Sequence, residues 1–161
     1  VKTAYLESIA LIERLHRRFL DVVRAELDRL GVEDINNVQA LILFNIGAEE
    51  YTVGELTLRG YYLGTNVTYN LKKLVDYGYV SQARSSHDRR TVRIRLTDKG
   101  ATLHKAIDVT FDRHAEALAP GRMHQKNFED INTTMRQLER FWTEILAAHG
   151  PFAAASDEEA A

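Results

Sequence analysis

"TNVTYNLKKLVDYGYVSQARSSHDRRTVRIRLTDKG", residues 65–100, holds two kinds of periodicity in direct succession. Val67, Leu71, Leu74 and Val75 recur at i, i+4, i+7 and i+8, the spacing of one helix face. Thr65 is placed to cap that helix and Gly78 to stop it. "YVSQAR" (79–84) and "TVRIRL" (91–96) then alternate with the period of strands, Val92, Ile94 and Leu96 on one side and Arg93 and Arg95 on the other. "SSHDRR" between them reads as a polar hairpin loop. "TDKG" opens another helix, with Thr97 or Asp98 as its cap. Positive charge gathers here: eight basic residues against three acidic ones between 65 and 99, in a chain whose formal net charge is −2.

Upstream, "NNVQALILFNI" (36–46) predicts a helix capped by Asn36 or Asn37 and ended by Gly47. "AEEYT" reads as a loop. "VGELTLRG" (53–60) reads as a short helix with Val53, Leu56 and Leu58 inward, and "YYLG" as a tight connector. Two short helices joined tightly, followed at once by a hairpin, define a winged helix-turn-helix. Its second helix is shaped to enter the major groove of duplex DNA. With the apolar stripe facing its own domain, Asn66, Thr68 or Tyr69, Asn70, Lys72 and Lys73 fall on the other face. That face alone would equally suit an ordinary solvated surface. The hairpin loop tips the balance. Arg84, Arg89 and Arg90 suit phosphates or a narrow minor groove, whose negative potential attracts arginine. Asp88 is placed to brace a guanidinium, and His87 to contact a phosphate. Arg93 and Arg95 have a second reading, as the solvent face of an edge strand protected by charge.

The flanks are helical. Leu6, Ile9, Ile12, Leu15 (or His16), Phe19, Val23, Leu27 and Leu30 mark a helix over 3–30, stopped by Gly31. A helix from "TDKG" to about Ala119 carries Leu103, Ile107, Phe111 and Leu118, and "PG" (120–121) breaks it. Phe128, Ile131, Met135, Leu138, Phe141 (or Trp142) and Ile145 share one face of a last helix over 125–148. Such faces need cover, from a second copy or from each other within a monomer. The expected fold is mainly α with a small β-hairpin wing: one domain over 1–161, with a DNA-binding winged helix-turn-helix at 32–100 and helical dimerisation parts at 1–31 and 101–149. A flexible acidic tail is expected over 150–161.

"NNVQALILFNI", "TVGELTLRGYYLGTNVTYNLKKLVDYGYV" and "HDRRTVRIRLTDKG" together resemble the multiple-antibiotic-resistance-regulator (MarR) family of bacterial transcription factors. The resemblance is most specific at Asp88-x-Arg90, at the Leu-Thr-x-x-Gly of Leu96 to Gly100, at Leu74 followed by Gly78-Tyr79-Val80, and at Gln39. It implies a homodimer with interlocked first and last helices, each subunit offering one winged helix to a palindromic operator. Asp88 and Arg90 would shape the wing tip, with Arg89 or Arg90 entering the minor groove. It also implies release from DNA by a small phenolic or anionic aromatic effector, for which His16, Arg17, Phe19, Phe44, Tyr61 and Tyr62 are the candidate lining. Tyr69, where the family often has a basic residue, and the aromatic connector "RGYYLG" are departures that bear on the operator sequence.

Other chemistries find little support. The chain has no cysteine, which rules out disulfides, thiolate metal sites and thiol-based sensing. None of its six histidines pair at i, i+3 or i+4, so no metal site and no cofactor is expected. A phosphate-binding glycine loop and a nucleophile elbow are both missing, so an enzyme is not expected. No apolar run reaches the roughly 18 residues that span a bilayer, and "VKTAYLESIALIERLHRRFL" is amphipathic and not a leader, so the expectation is a cytoplasmic protein without membrane contact. The competing reading is a winged-helix module that binds protein and not DNA, since fold alone does not set function.

Overall fold

The computed structural model describes residues 1–58, 64–84, 92–118, 121 and 123–148. Among them the element order is α1 (Lys2–Arg29), α2 (Asn37–Ile46), β1 (Tyr51–Thr52), α3 (Val53–Leu58), α4 (Gly64–Asp76), β2 (Val80–Arg84), β3 (Val92–Leu96), α5 (Asp98–Leu118) and α6 (Gln125–Ala148). The chain divides into two compact units, Val1–Asp112 and Arg113–Ala161.

Local hydrogen bonds set most of the boundaries. Asn36 caps α2 reciprocally with Gln39: Gln39 N–H donates to Asn36 Oδ1 at 2.8 Å and Asn36 N–H donates to Gln39 Oε1 at 2.9 Å. Helices α1 and α4 end in the same way. Gly31 donates to the Asp28 carbonyl at 3.1 Å and Val32 to that of Leu27 at 2.9 Å; Gly78 donates to Val75 at 2.9 Å and Tyr79 to Leu74 at 2.8 Å. This double bond pattern needs a left-handed residue just past the helix. Glycine supplies it at φ 69° and 76° without steric cost.

At the start of α5 the cap is Thr97, not Asp98. Gly100 N–H donates to Thr97 Oγ1 at 3.2 Å, and the same hydroxyl donates to the Gly78 carbonyl at 2.6 Å. Thr97 N–H donates to the Tyr79 carbonyl at 3.0 Å. The Leu-Thr-x-x-Gly run is therefore a joint between α5 and the turn after α4.

The sheet departs from expectation. "YT" of the segment read as a loop forms β1, and the strand order is β1-β3-β2, all antiparallel. Tyr51 sits opposite Ile94 and Thr52 opposite Arg93, while Val80 sits opposite Leu96 and Arg84 opposite Val92. β3 is thus the central strand, so Arg93 and Arg95 do not guard an edge. Both are exposed on its outer face while Ile94 is fully buried.

One core joins the elements of the first unit. Val23 and Leu27 of α1, Ala40, Ile42, Leu43 and Ile46 of α2, Leu56 of α3, Val67, Leu71 and Leu74 of α4, Ile94 of β3, and Leu103 and Ile107 of α5 are all buried. Leu58 is the exception to the expected inward set, at 88 % exposure. Thr110 of α5 donates its hydroxyl to Glu26 Oε1 of α1 at 2.5 Å, and Arg29 closes on the same carboxylate. The apolar stripe of α1 is only half used: Leu6, Leu15 and Phe19 remain exposed. In the second unit, α6 has no buried residue and exposes Phe128, Ile131, Met135, Phe141 and Ile145. The acidic tail lies outside the described residues.

Candidate nucleic-acid interface

Helix α4 is anchored by its apolar side and presents a polar, aromatic and basic side. Val67, Leu71 and Leu74 are buried; Asn66, Thr68, Tyr69 and Lys72 are exposed and Lys73 is half-buried. Tyr69 is 61 % exposed, and the Lys73 ammonium stands 5.9 Å from its ring centroid. A large ring with a cation beside it lies on the outward face of the helix. It suits contact with a base edge or a sugar, with the ammonium near phosphate. Thr65 lies in the first turn of the helix.

Asn70 does not belong to that outward set. It is 8 % exposed, its Oδ1 accepts from Gln39 Nε2 at 3.2 Å, and its Nδ2 donates to the Asn66 carbonyl at 2.8 Å. The helix angle leaves the position open. At 100° per residue, position 70 lies at the edge of the apolar stripe, about 40° from Leu74 and equally about 40° from the exposed Asn66, and the bond from Gln39 holds it inward. Its amide character suggested the other face.

The wing is described only at its base. β2 and β3 bring their ends at Arg84 and Val92 together. The side chain of Arg84, and His87, Asp88, Arg89 and Arg90, fall outside the described residues, as do Tyr61 and Tyr62. Arg95 is 4.0 Å from Glu50, an exposed pair too open to add much stability.

A second cluster holds the base of the wing. Tyr79 Oη donates to Asp34 Oδ1 at 2.7 Å; Lys99 Nζ donates to Asp34 Oδ2 and to the Tyr77 carbonyl, both at 2.9 Å. The Lys99 ammonium also lies 3.9 Å from the Tyr79 ring centroid. Burial by itself would raise the Asp34 carboxyl pKa, but the hydrogen bonds from Lys99 and Tyr79 and the Lys99 charge outweigh it and hold it below the usual value. Tyr79 is pushed up by burial and by its bond to Asp34. A carboxyl lowered in the folded state stabilises above its unfolded pKa of about 3.9, and that contribution is lost as pH falls through the folded value. Asp34→Asn is therefore expected to cost about 0.5–1 kcal/mol at pH 7, the range for a partly exposed pair, and much less near pH 3. Urea unfolding of both proteins at the two pH values checks this; an equal gap at both would show that the charge contributes nothing.

Of the residues expected to line an effector site, Phe19 and Phe44 are brought together through the ring of Phe111 on α5. Phe111 stacks on Phe19 at 5.9 Å and meets Phe44 edge-on at 5.0 Å; His104 stacks on Phe44 at 4.8 Å. His104 and Phe111 are seven apart on α5, two turns along one face, which is the signal that could have grouped them. His16 and Arg17 are exposed on α1. Among the described residues no group of three His, Asp or Glu side chains could hold a metal ion, and no helix is long and apolar enough to cross a membrane.

A helix held outward beside a three-stranded wing defines a winged-helix DNA-binding protein, and residues 35–100 match the winged helix DNA-binding domain family. The chain is 41 % identical over 138 residues to the exopolysaccharide II synthesis transcriptional activator ExpG of Rhizobium meliloti (strain 1021), covering 86 % of this chain and 71 % of that protein. It belongs to the MarR family of winged-helix transcriptional regulators. Solved structures share the fold. Streptococcus pneumoniae FabT in complex with DNA superposes with a TM-score of 0.71 at 22 % identity, over 88 % of this chain and 99 % of that one. Staphylococcus aureus MarR in complex with salicylate and kanamycin gives 0.69 at 21 % identity, over 92 % and 95 %.

Proposed function

We propose that this transcriptional regulator acts as a homodimer on a palindromic duplex site, reading bases with α4 and gripping the backbone with the wing. The observation that carries the reading is the outward face of α4, with Asn66, Thr68, Tyr69 and Lys72 exposed on a helix whose opposite face is locked into the core. Thr65, Lys73, Arg84, His87, Asp88, Arg89 and Arg90 complete the proposed DNA contacts. The exposed stripes of α1 and α6 support the dimer, because a second copy would remove them from water. Two-fold symmetry then sets the two reading helices about one DNA turn, ~34 Å, apart.

A small aromatic or anionic effector is part of the same proposal. The ring cluster of Phe19, Phe44, Phe111 and His104 supports it, as does the salicylate complex of the S. aureus relative. The naming of the Rhizobium meliloti relative as an activator supports an activating role at the promoter.

Repeated selection from random duplexes at near-physiological salt tests the reading. A palindrome with half-sites about ten base pairs apart is the expected product. Weak binding without enrichment would favour the protein-binding module. Once a site is known, Lys72→Ala with Lys73→Ala should leave the preferred sequence unchanged and flatten the slope of log affinity against log salt by roughly 2, about one for each phosphate contact removed. An unchanged slope would remove both lysines from the interface.

A further inference from the structure

Two amides lie buried where α2 meets α4, among otherwise apolar neighbours. Gln39 is 6 % exposed and Asn70 8 %. Gln39 Oε1 is taken by the Asn36 N–H at 2.9 Å, which leaves Nε2 to donate to Asn70 Oδ1 at 3.2 Å. Asn70 Nδ2 in turn is committed to the Asn66 carbonyl at 2.8 Å. On the far side, Asn37 Nδ2 donates to the Leu20 carbonyl of α1 at 3.1 Å. Amide hydrogen bonds therefore lead from the backbone of α1, through the N-terminus of α2, to the first turns of α4.

Neither amide can flip. Turning Gln39 would set its Nε2 against the Asn36 N–H and its Oε1 against Asn70 Oδ1. Turning Asn70 would set its Oδ1 against the Asn66 carbonyl and its Nδ2 against Gln39 Nε2. The set of bonds closes for one rotation and one register of α4 on α2. Stability does not require it, since an apolar pair of the same shape serves nearly as well. What an apolar pair lacks is direction. A hydrogen bond weakens steeply with misalignment, whereas methyl groups slide past each other at little cost.

We propose that Gln39 and Asn70 are positioning residues for base discrimination: their buried amide bond fixes the rotation and register of α4, so that Asn66 and Tyr69 meet base edges, while neither amide touches DNA. This rests on the reading of α4 as the DNA-reading helix. Phosphate contacts tolerate small displacements of a helix, but bidentate base contacts do not.

The test compares wild type with Gln39→Met, Asn70→Leu and the double variant, each of which removes the amide at similar side-chain length. Affinity for the selected duplex and for a random duplex is measured at one salt concentration, beside the thermal midpoint. The ratio of the two affinities should fall about tenfold in each single variant and no further in the double, because all three lose the same bond. Random-duplex affinity should stay within about twofold. If a single variant fails to fold for want of a partner, the double, which leaves neither amide unpaired with the other, carries the measurement. Discrimination lost in Asn70→Leu but kept in Gln39→Met would show Asn70 reading a base directly and overturn the proposal. Discrimination kept in all three would reduce the pair to a packing detail and overturn it as well. Equal losses on both duplexes would do the same. A wild type that does not discriminate between duplexes refutes the reading of α4 itself before any variant is compared, and the proposal falls with it.

Discussion

A chain carrying Ile131→Asp and Phe141→Asp is expected to sediment as a monomer and to bind its palindromic site at least about a hundredfold more weakly. Both side chains are exposed, and α6 holds no buried residue. In a dimer each large apolar side chain removed from water contributes about 1.5–3 kcal/mol. The double change removes two such contributions per copy and puts four carboxylates into the interface, where desolvation costs several kcal/mol each. The effect on DNA follows from linkage of the half-sites. In a dimer the second half-site is met at an effective concentration in the millimolar range, which adds a factor of 10²–10⁴ to the overall affinity. Sedimentation and titration on one half-site and on the full palindrome check both parts. Half-site affinity should be unchanged while palindrome affinity falls. A variant that still sediments as a dimer would exclude this face of α6 as the interface.

The second large effect is expected at Gly100, in the first turn of α5. A Cβ there would overlap the Tyr79 carbonyl oxygen, with the carbonyl carbon at 3.1 Å and the Leu96 Cβ at 3.3 Å. The obstacle is backbone, and that carbonyl already accepts from Thr97 N–H at 3.0 Å. Backing away would break the joint of Thr97, Gly78 and Gly100 and shift α5 against the turn after α4. Gly100→Ala is expected to destabilise by about 3 kcal/mol despite its better helix propensity. For a chain of this size that lowers the thermal midpoint by on the order of 10 °C. Calorimetry checks it, and a midpoint within about 2 °C of wild type would show that the joint opens cheaply. Operator affinity should fall with stability, because β2 and the wing start from the same turn.

Much of this molecule was legible in its residues, for a physical reason. Helix ends are local. Asn36 reaches the N–H of Gln39, and Gly31 and Gly78 adopt a conformation that other residues avoid, so their positions can be read within a few neighbours. The buried stripe of Val67, Leu71 and Leu74 and the alternation of β3 are also properties of one segment. From these came the order of elements, the winged helix-turn-helix and the outward placement of Asn66, Tyr69 and Lys72. The resemblance to the MarR family came from the same short runs.

What tertiary structure alone decided involves partners far away in the chain. Two residues, Tyr51 and Thr52, carry no strand period of their own; they become β1 only because β3, some forty positions on, offers an open edge. That pairing moved β3 to the centre of the sheet and changed the meaning of Arg93 and Arg95. Asp34, Tyr79 and Lys99 look unrelated until the fold brings Tyr79 and Lys99 within 2.9 Å of the Asp34 carboxylate. Asn70 is the clearest case. Its angle on the helix put it at the border between the apolar stripe and the outward face, and its chemistry put it with the DNA readers. Only Gln39, thirty-one positions away on another helix, decided between them, by offering a buried amide a partner that water would otherwise have supplied.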